Sequence, residues 1–248
     1  MTILIYTDNV SNNHILYYAL GRLRGKRNVF FVNANEVLNG ALTRDVDLLV
    51  MPGGASRYKS AKLNGQANQL IKDYVANGGK YLGICAGSYM ACAMTYWAKG
   101  GPYEIVTPNE LSFFSGAAVG PIEQFGEGDN YNSTKAYVTT LDYAGREMSS
   151  LYLGGCLFET LKTSSKPDNY QVLARFTELA DKPAAIVTGD YGQGAWLLSS
   201  THPEYDQEAV ELLTFDVVGN DYQEFNQLTG AESLTLDLLD ELLKQLSV

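Results

Sequence analysis

The sequence predicts an α/β fold built on a mostly parallel sheet, and three observations predict it. Short apolar runs alternate with helical patterns through the first hundred residues, the signature of consecutive βαβ units. Those runs lack the polar alternation of a half-exposed sheet, so they require helices on both faces. The 248 residues are 46% hydrophobic and 19% charged, enough to bury a sizeable core.

Residues 3–6, 29–32, 46–51 and 81–84 read as strands, each bounded by Asn, Asp, Gly or Pro. Between them, 14–23 and 66–76 read as helices. The second carries Ala67, Leu70, Ile71, Tyr74 and Val75 on one stripe and stops at Gly78-Gly79. From about 100 to 169 the rhythm gives way to Gly, Ser, Thr, Asn and Tyr. This stretch reads as short antiparallel strands decorating the same domain, with a surface loop at 126–132. A strand pattern returns at 171–176, and the strands 184–188 and 195–199 flank a Gly-rich hairpin. Two helices close the chain. The last, from about Ser233 as its cap, aligns Leu238, Leu239, Leu242, Leu243 and Leu246 on one face. That face covers the domain's own sheet or meets a partner, either a second copy or another enzyme. No repeat or linker divides the chain, so 1–248 reads as a single domain.

Charge excludes several functions. With 18 Lys+Arg against 28 Asp+Glu the net charge is −10, which repels phosphate backbones and anionic lipid. Nucleic acid and membranes are therefore not expected partners; a small-molecule or amide substrate is. No apolar run approaches the ~18 residues of a membrane span, and the amino terminus lacks a basic leader and a signal-length apolar stretch. Three cysteines, Cys85, Cys92 and Cys156, are too few and odd in number for a disulfide framework and point to a reducing, cytoplasmic setting. No Cys or His pair has zinc spacing and 126–130 lacks the lysine of a phosphate loop, so neither metal nor cofactor is expected.

The densest chemical signal is 80–91, a buried strand running through Gly83-Ile84-Cys85-Ala86-Gly87 into a helical pattern. This is the cysteine form of a nucleophile elbow. The sharp turn forces close backbone contacts, hence glycine on either side, and a helix N-terminus favours thiolate over thiol. The competing interpretation is a small buried cysteine at a strand–helix joint. A nucleophile needs a base, and the chain has two histidines, His14 and His202. His202 follows a strand's carboxyl end, where open α/β sheets build their sites. Pro203 holds His202 extended, so Glu204 at i+2 can reach the imidazole and fix its tautomer. Backbone N–H groups of Gly54, in Pro52-Gly53-Gly54, and of Ala86 are the expected oxyanion donors, although Pro-Gly-Gly also makes a plain turn. Tyr152, Gly154 and Gly155 are candidate pocket residues. Cys92 is expected in the core on the helix after Cys85. Cys156 is either a pocket thiol or a packed small residue, and His14 either a substrate contact or a surface or capping residue.

These motifs, in order and spacing, resemble the class I glutamine amidotransferase-like superfamily with its Cys-His-Glu triad. The resemblance implies a flavodoxin-like open sheet. Within it, residues 83–89, 114–121 and 151–158 look like the biotin-protein ligase N-terminal domain family, over nearly the whole chain. Glutaminases of the superfamily carry Gln four residues after the nucleophile, where this chain has Tyr89, so glutamine is not the expected substrate. No adenylate loop or second catalytic domain is visible, so biotin transfer by this chain is not expected either. The leading expectation is a thiol hydrolase or amidotransferase-like enzyme working through a thioester. The alternative is a catalytically silent module that binds a small ligand.

Overall fold

The computed structural model describes residues 1–8, 13–126, 135–161, 169–216 and 228–248. The surface loop expected at 126–132 therefore lies, from 127 onward, outside the described residues. The first half is a run of βα units: β1 (Ile3–Tyr6), α1 (His14–Arg24), β2 (Val29–Val32), α2 (Ala34–Leu38), β3 (Leu48–Met51), α3 (Ser56–Leu63), α4 (Gln66–Ala76), β4 (Lys80–Ile84) and α5 (Ala86–Tyr89). The inserted region supplies β5 (Cys92–Trp97), β6 (Ile105–Pro108), β7 (Phe114–Gly120), β8 (Tyr137–Tyr143), β9 (Arg146–Tyr152) and β10 (Leu157–Glu159). The chain then returns through β11 (Tyr170–Phe176), β12 (Ala184–Tyr191), β13 (Gly194–Ser199), α6 (Gln207–Asp216) and α7 (Asp237–Gln245).

The main sheet has nine strands in the order β2-β1-β3-β4-β13-β12-β11-β8-β9. The first five run parallel, and from β13 outward every neighbour is antiparallel. Because side chains alternate across a strand, the central strands feed two cores. Ile3, Ile5, Val50, Leu82 and Leu197 pack on one face against Leu16 and Leu20 of α1 and the leucines of α7. Leu4, Tyr6, Leu49, Tyr81 and Leu198 pack on the other face against Ile71 and Val75 of α4. A four-stranded sheet, β10-β7-β5-β6, contributes Phe114, Ala118 and Phe158 to that second core. The leucine face of α7 thus covers the chain's own sheet.

Four expectations are corrected. The edge strand β2 is not covered on both faces: Phe30 and Phe31 are 50% and 41% exposed, because an edge strand has a neighbour on one side only. The inserted region is not simply a set of antiparallel decorations. β8 and β9 extend the main sheet, and β5 pairs parallel with β7, because short strand patterns specify neither partner nor direction. The helix after Cys85 is a single turn, and Cys92 opens β5. Thr95, Tyr96 and Trp97 favour the strand, and the Asn109 side chain takes up the carbonyls of Tyr89 and Cys92, each at 3.0 Å. The last helix starts at Asp237, since the Ser233 hydroxyl bonds back to the Gly230 carbonyl at 2.7 Å and closes a 3-10 turn instead.

Leu242 is fully buried, so Leu242→Ala is expected to lower stability by about 2–5 kcal/mol. Phe30→Ser at the exposed edge should cost about 1 kcal/mol or less. Urea denaturation of both variants measures the contrast.

Candidate functional site

The parallel strands end on one edge of the sheet, and the candidate residues follow their carboxyl ends. Gly53 and Gly54 come after β3, Cys85 after β4, and His202 and Glu204 after β13. Cys85 has φ 48° and ψ −106°, a conformation that costs an L-residue on the order of 1–3 kcal/mol and persists only where its surroundings impose it. Those surroundings are well defined. The Cys85 N–H donates to the Ser199 carbonyl at 2.8 Å, and its carbonyl accepts from the N–H groups of Ser88 and Tyr89 at 2.8 and 3.0 Å. The buried Ser88 hydroxyl reaches the carbonyls of Gly83 at 2.9 Å and Ser199 at 2.8 Å, and Tyr81 donates to the Gly87 carbonyl at 2.8 Å. Both elbow glycines are sterically required. A Cβ on Gly83 would sit 2.8 Å from the Gly87 carbonyl oxygen, and one on Gly87 would run into the Met51 carbonyl.

His202 is held by its backbone and by its ring. Its N–H donates to the Leu151 carbonyl at 2.7 Å, forming an isolated bridge to β9, and Nδ1 lies 2.8 Å from Glu204 Oε1. The i,i+2 geometry expected from His202-Pro203-Glu204 is therefore present. Both residues are buried, at 5% exposure each. Burial alone would lower the imidazole's pKa, but the charges of Glu204 and Cys85 outweigh it and push it up to about 10. Nε2 makes no hydrogen bond of ordinary geometry; Cys85 is nevertheless close enough to act on the ring electrostatically. Gly53 lies flat against the ring, since a Cβ there would sit 2.5 Å from Cε1. Gly54 has φ 103°, and Ala86 is the buried first residue of α5.

The remaining candidates form a strap over the sulfur. Cys85 Sγ contacts the carbonyls of Leu153 at 3.5 Å and Gly154 at 3.9 Å, a geometry in which the thiol donates. The Tyr89 hydroxyl donates to this segment, 2.9 Å from the Gly155 carbonyl and 3.3 Å from that of Gly154. Tyr152 accepts from the Ile122 N–H at 2.7 Å and lies 3.2 Å from the Gly155 carbonyl. The Tyr89 hydroxyl is thus engaged by backbone. Cys85 is only 5% exposed. A surface cleft of about 590 Å3 lies elsewhere, lined by Arg22, Asp206, Glu208 and Thr235 among others but not by Cys85 or His202. Cys92 and Cys156 are fully buried, and burial pushes both thiols up. His14 is the exposed first residue of α1, edge-on to Phe31. No group of three or more potential metal ligands occurs among the described residues, and no helix there is long and apolar enough to cross a membrane.

Two parts of the site are not singled out by the sequence reading. Ser88 sits on the elbow, where its hydroxyl looks like an ordinary small residue until Ser199 is seen beside it. Lys59, on α3, is fully buried and pairs with Asp8 at 3.4 Å. Its one sequence signal is its place four residues before the buried Leu63, on the same helix face.

The fold is similar to that of solved glutamine amidotransferase structures. A glutamine amidotransferase matches with TM-score 0.56 and 22% identity, over 81% of this chain and 90% of that one. The PurLQS structure from Thermotoga maritima matches with TM-score 0.56 and 16% identity, over 91% and 95%. At these identities the likeness shows the fold. Within that fold class the chain belongs to the family described as "Biotin-protein ligase, N terminal", whose model matches residues 1–248. An uncharacterized protein from Chlamydia muridarum is 31% identical over 251 residues, covering 97% of this chain and 95% of its own length. The biotin–protein ligase of Schizosaccharomyces pombe is 30% identical over 191 residues, 74% of this chain but 29% of the ligase. This chain therefore matches less than a third of that enzyme's length.

A raised pKa means that the stability His202 contributes is fully present below its unfolded value of about 6.5 and is lost as pH rises through about 10. The stability difference between wild type and His202→Gln is expected to shrink across that window, as measured by urea denaturation at each pH. In the same assay Ser88→Ala should cost about 1–3 kcal/mol, the usual penalty for orphaning buried hydrogen-bond partners.

Proposed function

We propose that this chain is a thiol-dependent hydrolase or amidotransferase-like enzyme acting on a small amide or acyl substrate. The observation that carries the reading is Cys85 at φ 48° on the sheet's carboxyl edge, beside an imidazole that Glu204 orients at 2.8 Å. In this reading the proton of Cys85 already rests on His202, whose pKa is pushed up to about 10, and the Sγ thiolate attacks the carbonyl carbon. The N–H groups of Gly54 and Ala86 hold the oxyanion. The carbon–nitrogen bond of an amide then breaks, His202 returns the proton to the leaving nitrogen, and a thioester remains on Cys85. Water, deprotonated by His202, attacks the thioester and releases a carboxylic acid and the free thiol. In an amidotransferase-like variant the released ammonia is passed to an acceptor.

Tyr89, at the place of the glutaminases' Gln, supports a substrate other than glutamine. Biotin transfer is not proposed for this chain, which matches only 29% of the S. pombe ligase. A cytoplasmic setting is proposed on the strength of three free thiols. A net charge of −10 supports a small-molecule substrate over nucleic acid or a membrane surface.

The pH dependence of iodoacetamide alkylation, followed by mass spectrometry, tests the reading. Cys85 should react much faster at pH 7 than cysteines of the denatured chain. His202→Ala should slow it about tenfold or more, and Cys85→Ala should remove the fast-reacting thiol. With amide and thioester panels, wild type should accumulate an acyl adduct on Cys85, and His202→Ala should turn over about 10²–10⁴-fold more slowly. A Cys85 that alkylates at the denatured rate and ignores His202 would sink the proposal.

A further inference from the structure

Cys85 has a second cation near it. Lys59 has no exposed surface; its Nζ lies 3.4 Å from the Asp8 carboxylate and 5.7 Å from the centroid of the Tyr6 ring. The lysine reaches this place because α3 leaves the Gly53-Gly54 turn and packs against α5, the turn that follows Cys85. Asp8 follows β1, next but one to β4 in the sheet. Burial is the largest influence and lowers the ammonium's pKa overall, with Asp8 and then Cys85 working in the opposite direction. On the other side, Glu204 and Cys85 raise His202.

The ionisable groups therefore alternate in sign as Asp8, Lys59, Cys85, His202 and Glu204. Lys59 and His202 are the two basic groups coupled to the sulfur, each backed by a carboxylate. We propose that Lys59, held by Asp8, is a positioning residue that stabilises the Cys85 thiolate from the β1–β3 side while His202 does so from β13. The inference rests on the reading of Cys85 as a nucleophile.

Three arguments support it. First, a buried Lys–Asp pair is commonly no better for stability than apolar side chains of equal volume. A purely structural role therefore gives little reason for these charges. Second, the Leu153 and Gly154 carbonyls face the sulfur and favour the thiol, so a thiolate there needs more positive charge than a single imidazole supplies. The one-turn α5 offers little helix dipole to make up the difference. Third, three further described groups that interact with Cys85 are neutral near pH 7. Tyr89, Tyr152 and Cys156 interact with Cys85 but have pKa values raised by burial, and Lys62 acts on Lys59 only as the last of its influences.

The test is iodoacetamide alkylation of Cys85 from pH 5 to 9 in wild type, in His202→Ala, and in Lys59→Met combined with Asp8→Asn, which removes both charges of the pair. The double variant is expected to react about tenfold more slowly at pH 7, with its pH profile moved upward. A folded double variant with the wild-type rate and profile overturns the inference and leaves the proposed function standing. If the double variant does not fold, His202→Ala decides. With Lys59 still present, its Cys85 should remain more reactive at pH 7 than cysteines of the denatured chain, and equality with them overturns the inference. A wild-type Cys85 that reacts like the denatured chain overturns both readings together.

Discussion

One hydrogen bond sets the geometry of the site. The Cys85 N–H donates to the Ser199 carbonyl at 2.8 Å, carrying the β4–β13 ladder one residue past the end of β4. The chain turns sharply at that residue. Cys85 is therefore registered to β13, and the three residues after Ser199 determine where His202 lies. Ser200 and Thr201 are fully buried, and the Thr201 hydroxyl accepts from Ser150 at 2.8 Å, so the register passes from β13 to β9 with little slack. The parallel half of the sheet places the sulfur, and the antiparallel half holds the imidazole.

The arrangement is costly locally and supported globally. A non-glycine residue at positive φ, a buried imidazole and a buried ammonium each oppose folding when taken alone. Each is answered by a neighbour: Ser88 and Ser199 around the elbow, Glu204 on His202, Asp8 on Lys59. Two apolar cores, one on each face of the sheet, hold these partners at fixed separation.

Much of this is legible in the sequence, for identifiable reasons. Parallel strands covered on both faces announce themselves as apolar runs, and α4 and the leucine face of α7 follow from helical spacing. The elbow is legible because its glycines answer a steric demand within a few residues. His202 and Glu204 are legible because proline and a two-residue spacing act locally. What escapes is set by distant neighbours. The helix after Cys85 stops after one turn where Asn109, twenty residues on, takes the carbonyl of its last residue, Tyr89. β5 and β7 lie parallel because of how the chain crosses between them, which no strand pattern records. Lys59 is inside because Asp8, on a different βα unit, meets it there, whereas a lysine in a polar helix otherwise reads as solvent-facing.

The strap over Cys85 belongs to neither the parallel strands nor the elbow. It is the turn between β9 and β10, suspended from the hydroxyls of Tyr89 and Tyr152, with its carbonyls in contact with the sulfur. The cover over the thiol thus comes from the antiparallel wing, while the sulfur itself is placed by the parallel core. The two are built from separate stretches of chain. A change of residue in the strap alters the cover over the sulfur and, because the Leu153 and Gly154 carbonyls and the Leu151 carbonyl that holds His202 lie in the same wing, the surroundings of the thiol and imidazole with it.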